Sequence, residues 1–213
     1  MAAPLIETVN LKKYFNTPRG LLHAVDDVNI KINAGETLGI VGESGCGKST
    51  LGRTMMRLVD ATDGKVLFKG ENILDYNKKQ MKKMHTSMQM IFQDPFTSLN
   101  PRLSIGEIIS EPMKVVHNVK GSDMKTRVQE LMDMCGLPQR YYNTYPHELD
   151  GGRRQRVGLA RALALDPQFI VCDEPVSALD VSIQAQIINL LMDLQAQKGL
   201  AYMFITHDLW VVR

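Results

Sequence analysis

The sequence predicts an α/β protein built on a parallel sheet, with an antiparallel β portion at its N-terminus and an inserted block of helices. Three observations lead there. Residues 5–32 alternate apolar and polar positions around turn signals, which suits antiparallel strands. Apolar runs at Thr37 to Val41, Phe169 to Cys172 and Tyr202 to Thr206 alternate with helical runs, and strand–helix–strand order argues for parallel pairing through crossover helices. Between them, from Phe96 to Ala164, the pattern is mostly helical with loops.

In chain order, Leu5, Thr8 to Leu11 and Ala24 to Ile32 read as short antiparallel strands. Turns are expected at Thr17-Pro18-Arg19-Gly20 and Asn33-Ala34-Gly35. Thr37 to Val41 is expected as a buried strand that runs into a glycine-rich turn, with a helix from Lys48 to near Leu58. Asp63-Gly64 reads as a turn and Lys65 to Lys69 as a short strand. Val128, Leu131, Met132 and Cys135 recur at i, i+3, i+4, i+7, one face of a helix. Val181 to Gln197 is an amphipathic helix with Gly199 as its stop signal. The division expected is a core of residues 1–95 and 161–213 with a helical subdomain at 96–160.

A chain of 213 residues is long enough to bury a full core, and 44% apolar with 23% charged residues suits a soluble globular protein. Net charge is only +2, so composition announces no nucleic-acid partner, and anion binding has to come from local geometry. Cys46, Cys135 and Cys172 are far apart and odd in number, which argues against a disulfide framework or zinc site and for a reducing compartment. The N-terminus has no signal-peptide core, and no stretch approaches the roughly 18 apolar residues of a membrane span. The methionines read as adaptable core filler.

Residues 42–50, GESGCGKST, carry the chemistry most plainly. Gly42, Gly45 and Gly47 let the backbone curl, so that the amides of Glu43, Ser44, Cys46 and their neighbours face one anion. Lys48 is placed to reach the β- and γ-phosphates of a nucleotide, and the Ser49 hydroxyl to ligate Mg²⁺, with Thr50 beside it. A glycine turn without ligand is the plain alternative; a strand before the loop and a helix after it decide against that. Cys46 reads as a small residue facing away from the phosphates. FIVCDEP, 169–175, ends an apolar run in Asp173-Glu174, and the carboxyl end of a strand is where open α/β sheets bind ligands. Asp173 suits Mg²⁺ and Glu174 suits a water to be polarised. ELDGGRRQR, 148–156, sets two glycines at a helix start, a good anion seat, with Asp150 at its mouth.

Together these residues resemble the nucleotide-binding subunit of an ABC transporter. GESGCGKST looks like Walker A, MQMIFQDP the Q-loop with Gln93, FIVCDEP Walker B plus the catalytic glutamate, SALD the D-loop with Asp180, and FITHD supplies the switch histidine, His207. ELDGGRRQR stands where the family has its LSGGQ signature. Phe15 falls where the family puts an aromatic under adenine, with Tyr14 as the alternative. GIVGESGCGKSTLGR, FQDPFTSLNPR, YPHEL and CDEPVSALDVSIQAQ look like the oligopeptide/dipeptide importer branch, in its F-type ATPase subunit.

The resemblance implies a P-loop NTPase core, ATP and Mg²⁺ as cofactors, and an ATPase that drives peptide import. It implies Ser49, Gln93 and Asp173 around the metal, Glu174 on the attacking water and His207 on the γ-phosphate. Asp150, Gly151, Gly152, Arg153 and Asp180 would serve the ATP of a second ATPase subunit, in a heterodimer or a homodimer. Transmembrane permease subunits are implied as partners, an extracytoplasmic peptide-binding protein indirectly, and a place on the cytoplasmic face of the membrane. Phe96 and Leu99, taken as exposed, are the candidates for permease contact. Nickel as cargo and a regulatory, non-hydrolysing role remain the alternatives. Family members continue past the switch histidine into a C-terminal region, so a chain ending at Arg213 is expected to be cut short.

Two signature residues depart from the family, which usually has serine at Asp150 and glutamine at Arg153. A carboxylate cannot donate to phosphate, and two unit charges 4 Å apart repel by about 4 kcal/mol at an effective dielectric of 20. Asp caps a helix as well as Ser does, and Arg153 at i+3 is close enough to pair with it. Either the signature is rewired and working, or the half-site is degenerate and covers a partner's ATP without supporting hydrolysis.

Overall fold

Two sheets and a block of helices make up the computed structural model, which describes residues 3–94, 96–117 and 122–208. The N-terminal strands β1 (Ile6–Thr17) and β2 (Gly20–Ile32) form a long hairpin. Strand β3 (Thr37–Val41) leads through the glycine loop into helix α1 (Lys48–Met55). Strands β4 (Asp63–Phe68) and β5 (Glu71–Asn72) follow, then α2 (Lys78–Ser87) and β6 (Met88–Ile91). Helices α3 (Ile105–His117), α4 (Ser122–Met134) and α5 (Gly151–Leu163) form the helical block. Strand β7 (Phe169–Asp173), helix α6 (Val181–Lys198) and strand β8 (Ala201–Thr206) complete the described chain.

The first sheet is antiparallel, in the order β2-β1-β4-β5; the second is parallel, in the order β3-β8-β7-β6. Every residue of β7 and β8 is buried, as expected for parallel strands covered on both faces. Their period-two alternation sorts the core into two halves. Phe169, Val171, Ala201, Met203 and Ile205 pack toward α1 and the antiparallel sheet. Ile170, Cys172, Tyr202 and Phe204 pack toward α3, α4, α5 and α6. On the helical side Val128, Leu131, Met132 and Cys135 are all fully buried, the face their spacing predicts. Gly199 ends α6 in a left-handed cap at φ 65, its N–H donating to Gln195 O at 2.8 Å.

Several expectations change. The first strands are long, 12 and 13 residues. Register shifts between Thr8 and Leu11, Leu11 and Lys13, and Lys13 and Tyr14 break the alternation that made them look short. Asp63-Gly64 is not a turn but the start of β4. Gly64 sits there because a Cβ would lie 2.4 Å from Asn10 O of β1. Strand β3 is not buried: Thr37 and Val41 are exposed and the rest half-buried, because it is an edge strand with little helix cover, whereas the other edge, β6, lies against α2 and α5. Helix α1 ends at Met55, short of Leu58. Leu99 is 2% exposed and belongs to the helical-side core, whereas Phe96 is 61% exposed. Strand β5, helix α2 and strand β6 had no announced pattern. Helix α5 runs through residue 160, so the expected division at 160/161 falls inside a helix. No helix among the described residues is long and apolar enough to cross a membrane.

Candidate functional site

The loop between β3 and α1 is curled around its own lysine. Lys48 is buried, and its Nζ donates to Gly42 O at 2.8 Å and Glu43 O at 2.7 Å. Gly47, the N-cap of α1, holds φ 100, and a Cβ there would lie 2.0 Å from Ala24 O of β2. Only glycine satisfies both the backbone and the space. The Cys46 Sγ lies 3.9 Å from Lys48 Nζ, in room left by Gly42, whose added Cβ would be 3.1 Å from that sulfur.

The carboxyl ends of β7, β8 and β6 bring the acids to this loop. Asp173 is fully buried, and its Oδ1 accepts the Ser49 hydroxyl at 2.6 Å across a sequence gap of 124 residues. Its Oδ2 is buried without a hydrogen-bond partner, with Arg53 Nη2 at 3.6 Å. Glu174 turns off the strand in the left-handed region at φ 47, a conformation worth roughly 1–2 kcal/mol of strain for a residue with a side chain. Its N–H donates to Ile205 O at 3.0 Å, and its carbonyl accepts from the Ser177 N–H and hydroxyl at 3.3 and 3.1 Å. Its Oε2 accepts from Gln93 Nε2 at 2.9 Å and lies 3.3 Å from His207 Nδ1.

Phe15, Leu22, His23, Ala24, residues 44–50, Gln93 and Glu174 line one cleft of about 370 Å³. Phe15 faces the cleft. Tyr14 does not: its ring stacks on His23 at 3.9 Å and its hydroxyl donates to Asp26, which pushes the phenol pKa up to about 12. Sequence reasoning missed Leu22, His23 and Ala24. The turn at Thr17–Gly20 carried the signal, since it sets Phe15 opposite Leu22. Arg53 beside Asp173 was also missed.

Asp150, Gly151, Gly152, Arg153 and Asp180 do not line this cleft and form a second group. Asp150 is the N-cap of α5: Oδ1 accepts the Arg153 N–H at 2.8 Å and Oδ2 accepts from the Arg153 guanidinium. A Cβ on Gly151 would lie 3.1 Å from Leu179 Cδ2, and one on Gly152 2.6 Å from Ile183 Cγ2. Both glycines therefore lie against the segment that carries Asp180, the N-cap of α6.

Among the described residues no group of three or more His, Cys, Asp or Glu could hold a metal. A partial oxygen set of Ser49 and Asp173 suits Mg²⁺, which keeps several waters and takes few protein ligands. The unpartnered Asp173 Oδ2 fits that role. Gln93 donates to Glu174 through Nε2, a bond that does not use its side-chain carbonyl oxygen, the atom that would ligate a metal.

A family model described as ABC transporter matches residues 25–177. The chain is 54% identical over 217 residues to the oligopeptide transport ATP-binding protein OppF of Bacillus subtilis, covering 100% of this chain and 70% of that protein. It is 52% identical to the OppF proteins of Haemophilus influenzae and Salmonella typhimurium, of whose lengths it spans 62% and 61%. Among solved structures, the dimeric ATP-binding cassette MJ0796 bound to ADP and Pi superposes with a TM-score of 0.88 at 31% identity, covering 97% of this chain and 89% of that one. The match runs from the β2 strand beside the cleft through the phosphate loop, both acids and the capped glycine pair, and on this ground the chain belongs to the ABC transporter family.

Proposed function

We propose that this chain hydrolyses ATP to drive import of oligopeptides or dipeptides through a membrane permease, working as a pair with a second ATPase subunit. The observation that carries hydrolysis is the Glu174 carboxylate, held between Gln93 and His207 at the mouth of the Lys48 cleft. Adenine stacks on Phe15, and the loop amides with Lys48 hold the triphosphate. Glu174 takes up the proton of the attacking water, and His207 and Gln93 hold that carboxylate in place. Phosphoryl transfer leaves little covalent work to protein groups, so positioning and charge stabilisation dominate. Ser49 and Asp173 would hold Mg²⁺, which supplies charge neutralisation at the phosphate oxygens when bound.

Asp150 bears on the second half of the site. Its two carboxylate oxygens are engaged by the Arg153 N–H and guanidinium, which supports the rewired rather than the degenerate signature. The Gly151 and Gly152 amides belong to the first turn of α5, where N–H groups have no partner within the helix. The peptide cargo rests on the OppF names of relatives about half identical to this chain. The cytoplasmic membrane face, and docking of the permease against residues 96–160 with Phe96 exposed, extend the same reading.

The test is Glu174→Gln in the assembled pair. ATP binding is retained while turnover falls by about 10²-fold or more. A variant that keeps most of its turnover refutes the assignment. Uptake of labelled peptide by vesicles carrying the permease, lost in the same variant, tests the cargo.

A further inference from the structure

Two arginines of α5 grip the segment that follows Gln93. The Arg154 guanidinium lies over the Phe96 ring, its Cζ 3.7 Å from the ring centre. It is only 7% exposed and is fixed from behind: Nε donates to Pro146 O at 2.6 Å and Nη2 to His147 O at 3.3 Å. Seven residues along the same helix face, Arg161 Nη1 donates to Ser98 O at 2.6 Å. An arginine within about 6 Å of a ring centre, and desolvated, is in the strong range of cation–π attraction.

The gripped segment connects directly to the reacting end of the cleft. Asp94 shapes it, its Oδ1 accepting the Phe96 N–H at 2.7 Å and its Oδ2 the Thr97 hydroxyl at 3.0 Å. The neighbouring Gln93 donates to Glu174. At the other end, Arg154 sits one turn into the helix that Asp150 caps, its own N–H on Asp150 O at 3.0 Å. An unbroken run of contacts thus joins the Asp150 helix end to the Glu174 carboxylate. It uses a ring stack where a loop of this kind would otherwise hang from its ends.

We infer that Arg154 is a positioning residue for hydrolysis: its stack on Phe96 makes the start of α5 and the segment after Gln93 move as one body. A nucleotide closing on the Asp150 helix end then re-aims Gln93 against Glu174. This rests on the proposed ATPase activity. A merely structural Arg154 would lower the melting temperature of its variants and leave the catalytic constant of the folded fraction unchanged.

The experiment compares wild type, Phe96→Leu, Arg154→Lys, the double variant and Phe96→Tyr, each paired with the second ATPase subunit and without permease, so that Phe96 exposure does not enter. The coupling predicts a roughly tenfold lower kcat in each of the first two, with KM for ATP within about twofold, since small misplacements cost rate more than binding. The double variant is no slower than the slower single, and Phe96→Tyr, which keeps the ring, turns over as wild type. Rate losses that multiply in the double, or a wild-type rate in Phe96→Leu, overturn the inference. A wild type without turnover defeats the ATPase reading instead. The coupling is then read by hydrogen exchange at Phe96, Thr97 and Ser98 with a non-hydrolysable ATP analogue. Protection in wild type that is lost in Arg154→Lys upholds it, and equal exchange in the two overturns it.

Discussion

Arg153→Gln removes the charge pair at the start of α5, and with it the guanidinium's place over the Tyr141 ring, 5.3 Å from the ring centre. The side chains of Arg153 and Asp150 are 43% and 57% exposed, so water screens their attraction. A half-exposed pair of this kind contributes about 0.2–1 kcal/mol to stability. The N-cap bond from the Arg153 N–H survives the change, because it belongs to the backbone. With about 0.5–1 kcal/mol more from the half-exposed Tyr141 contact, melting shifts by a few degrees, about 2–4 °C per kcal/mol for a chain of this size. Nucleotide closure responds far more. The substitution leaves an unpaired carboxylate at an anion seat, where the unscreened repulsion from a phosphate 4 Å away is about 4 kcal/mol at a dielectric of 20. Discounted for the exposure of Asp150, about 1.4–2.8 kcal/mol remains, a ten- to hundredfold loss in ATP-driven association. The assay is light scattering behind a sizing column, with ATP and Mg²⁺, in a Glu174→Gln background that holds ATP uncleaved. It is run on this chain alone and with the second ATPase. Asp150→Ser together with Arg153→Gln restores association, because no bare charge remains. If Arg153→Gln associates as well as its parent, the pair does not mask the carboxylate and the rewired signature is refuted.

Three further outcomes follow from the same geometry. Gly47→Ala loses ATP binding and melts well below Gly35→Ala, since both change a left-handed glycine but only the Gly47 methyl meets a backbone oxygen, at 2.0 Å; equal melting of the two contradicts this. Cys46 is exposed while Cys135 and Cys172 are buried, so a thiol reagent finds one fast site that ATP slows and two that open only on unfolding; three equal rates would refute it. Burial pushes the Cys135 thiol from 9.0 up to about 12, and Cys172 is raised by the same cause. Both are acids with raised folded pKa values, so their contribution to stability is whole below pH 9 and declines as pH rises toward 12. Urea midpoints measured across that range should fall less steeply in Cys135→Ala.

The parts of the site that could be read in the sequence are those whose chemistry is local. A lysine that curls a loop must lie a few residues from the carbonyls it holds, and an acid at a strand end announces itself after an apolar run. The unread parts depend on neighbours far along the chain. The exposure of β3 is set by an edge place with little helix cover, which the five residues of one strand cannot encode. The bulges of β1 reset its alternation, and Asp63-Gly64 is a close approach to β1 that imitates a turn. Helix α2 buries only Met81 and Met84, too thin a stripe to stand out among its lysines. Arg53 and Arg154 act by reach, across to Asp173 and Phe96. Leu99 shows the converse error, where a loop residue next to an exposed phenylalanine turns out to be core.

The strand order β3-β8-β7-β6 also dictates when, during synthesis, the cleft can come into being. The strand that carries the phosphate loop and the strand that carries both acids never touch. Strand β8 separates them, and it is the last described strand to leave the ribosome. A nascent chain translated through α6 already holds every loop glycine, Lys48, Asp173 and Glu174, yet Ser49 has no means of reaching Asp173. Two unpaired strand edges face an empty slot until residues 201–206 arrive, a state that invites aggregation or chaperone capture. A nucleotide that engages the phosphate loop and Asp173 together can stabilise only a chain that has already closed its sheet.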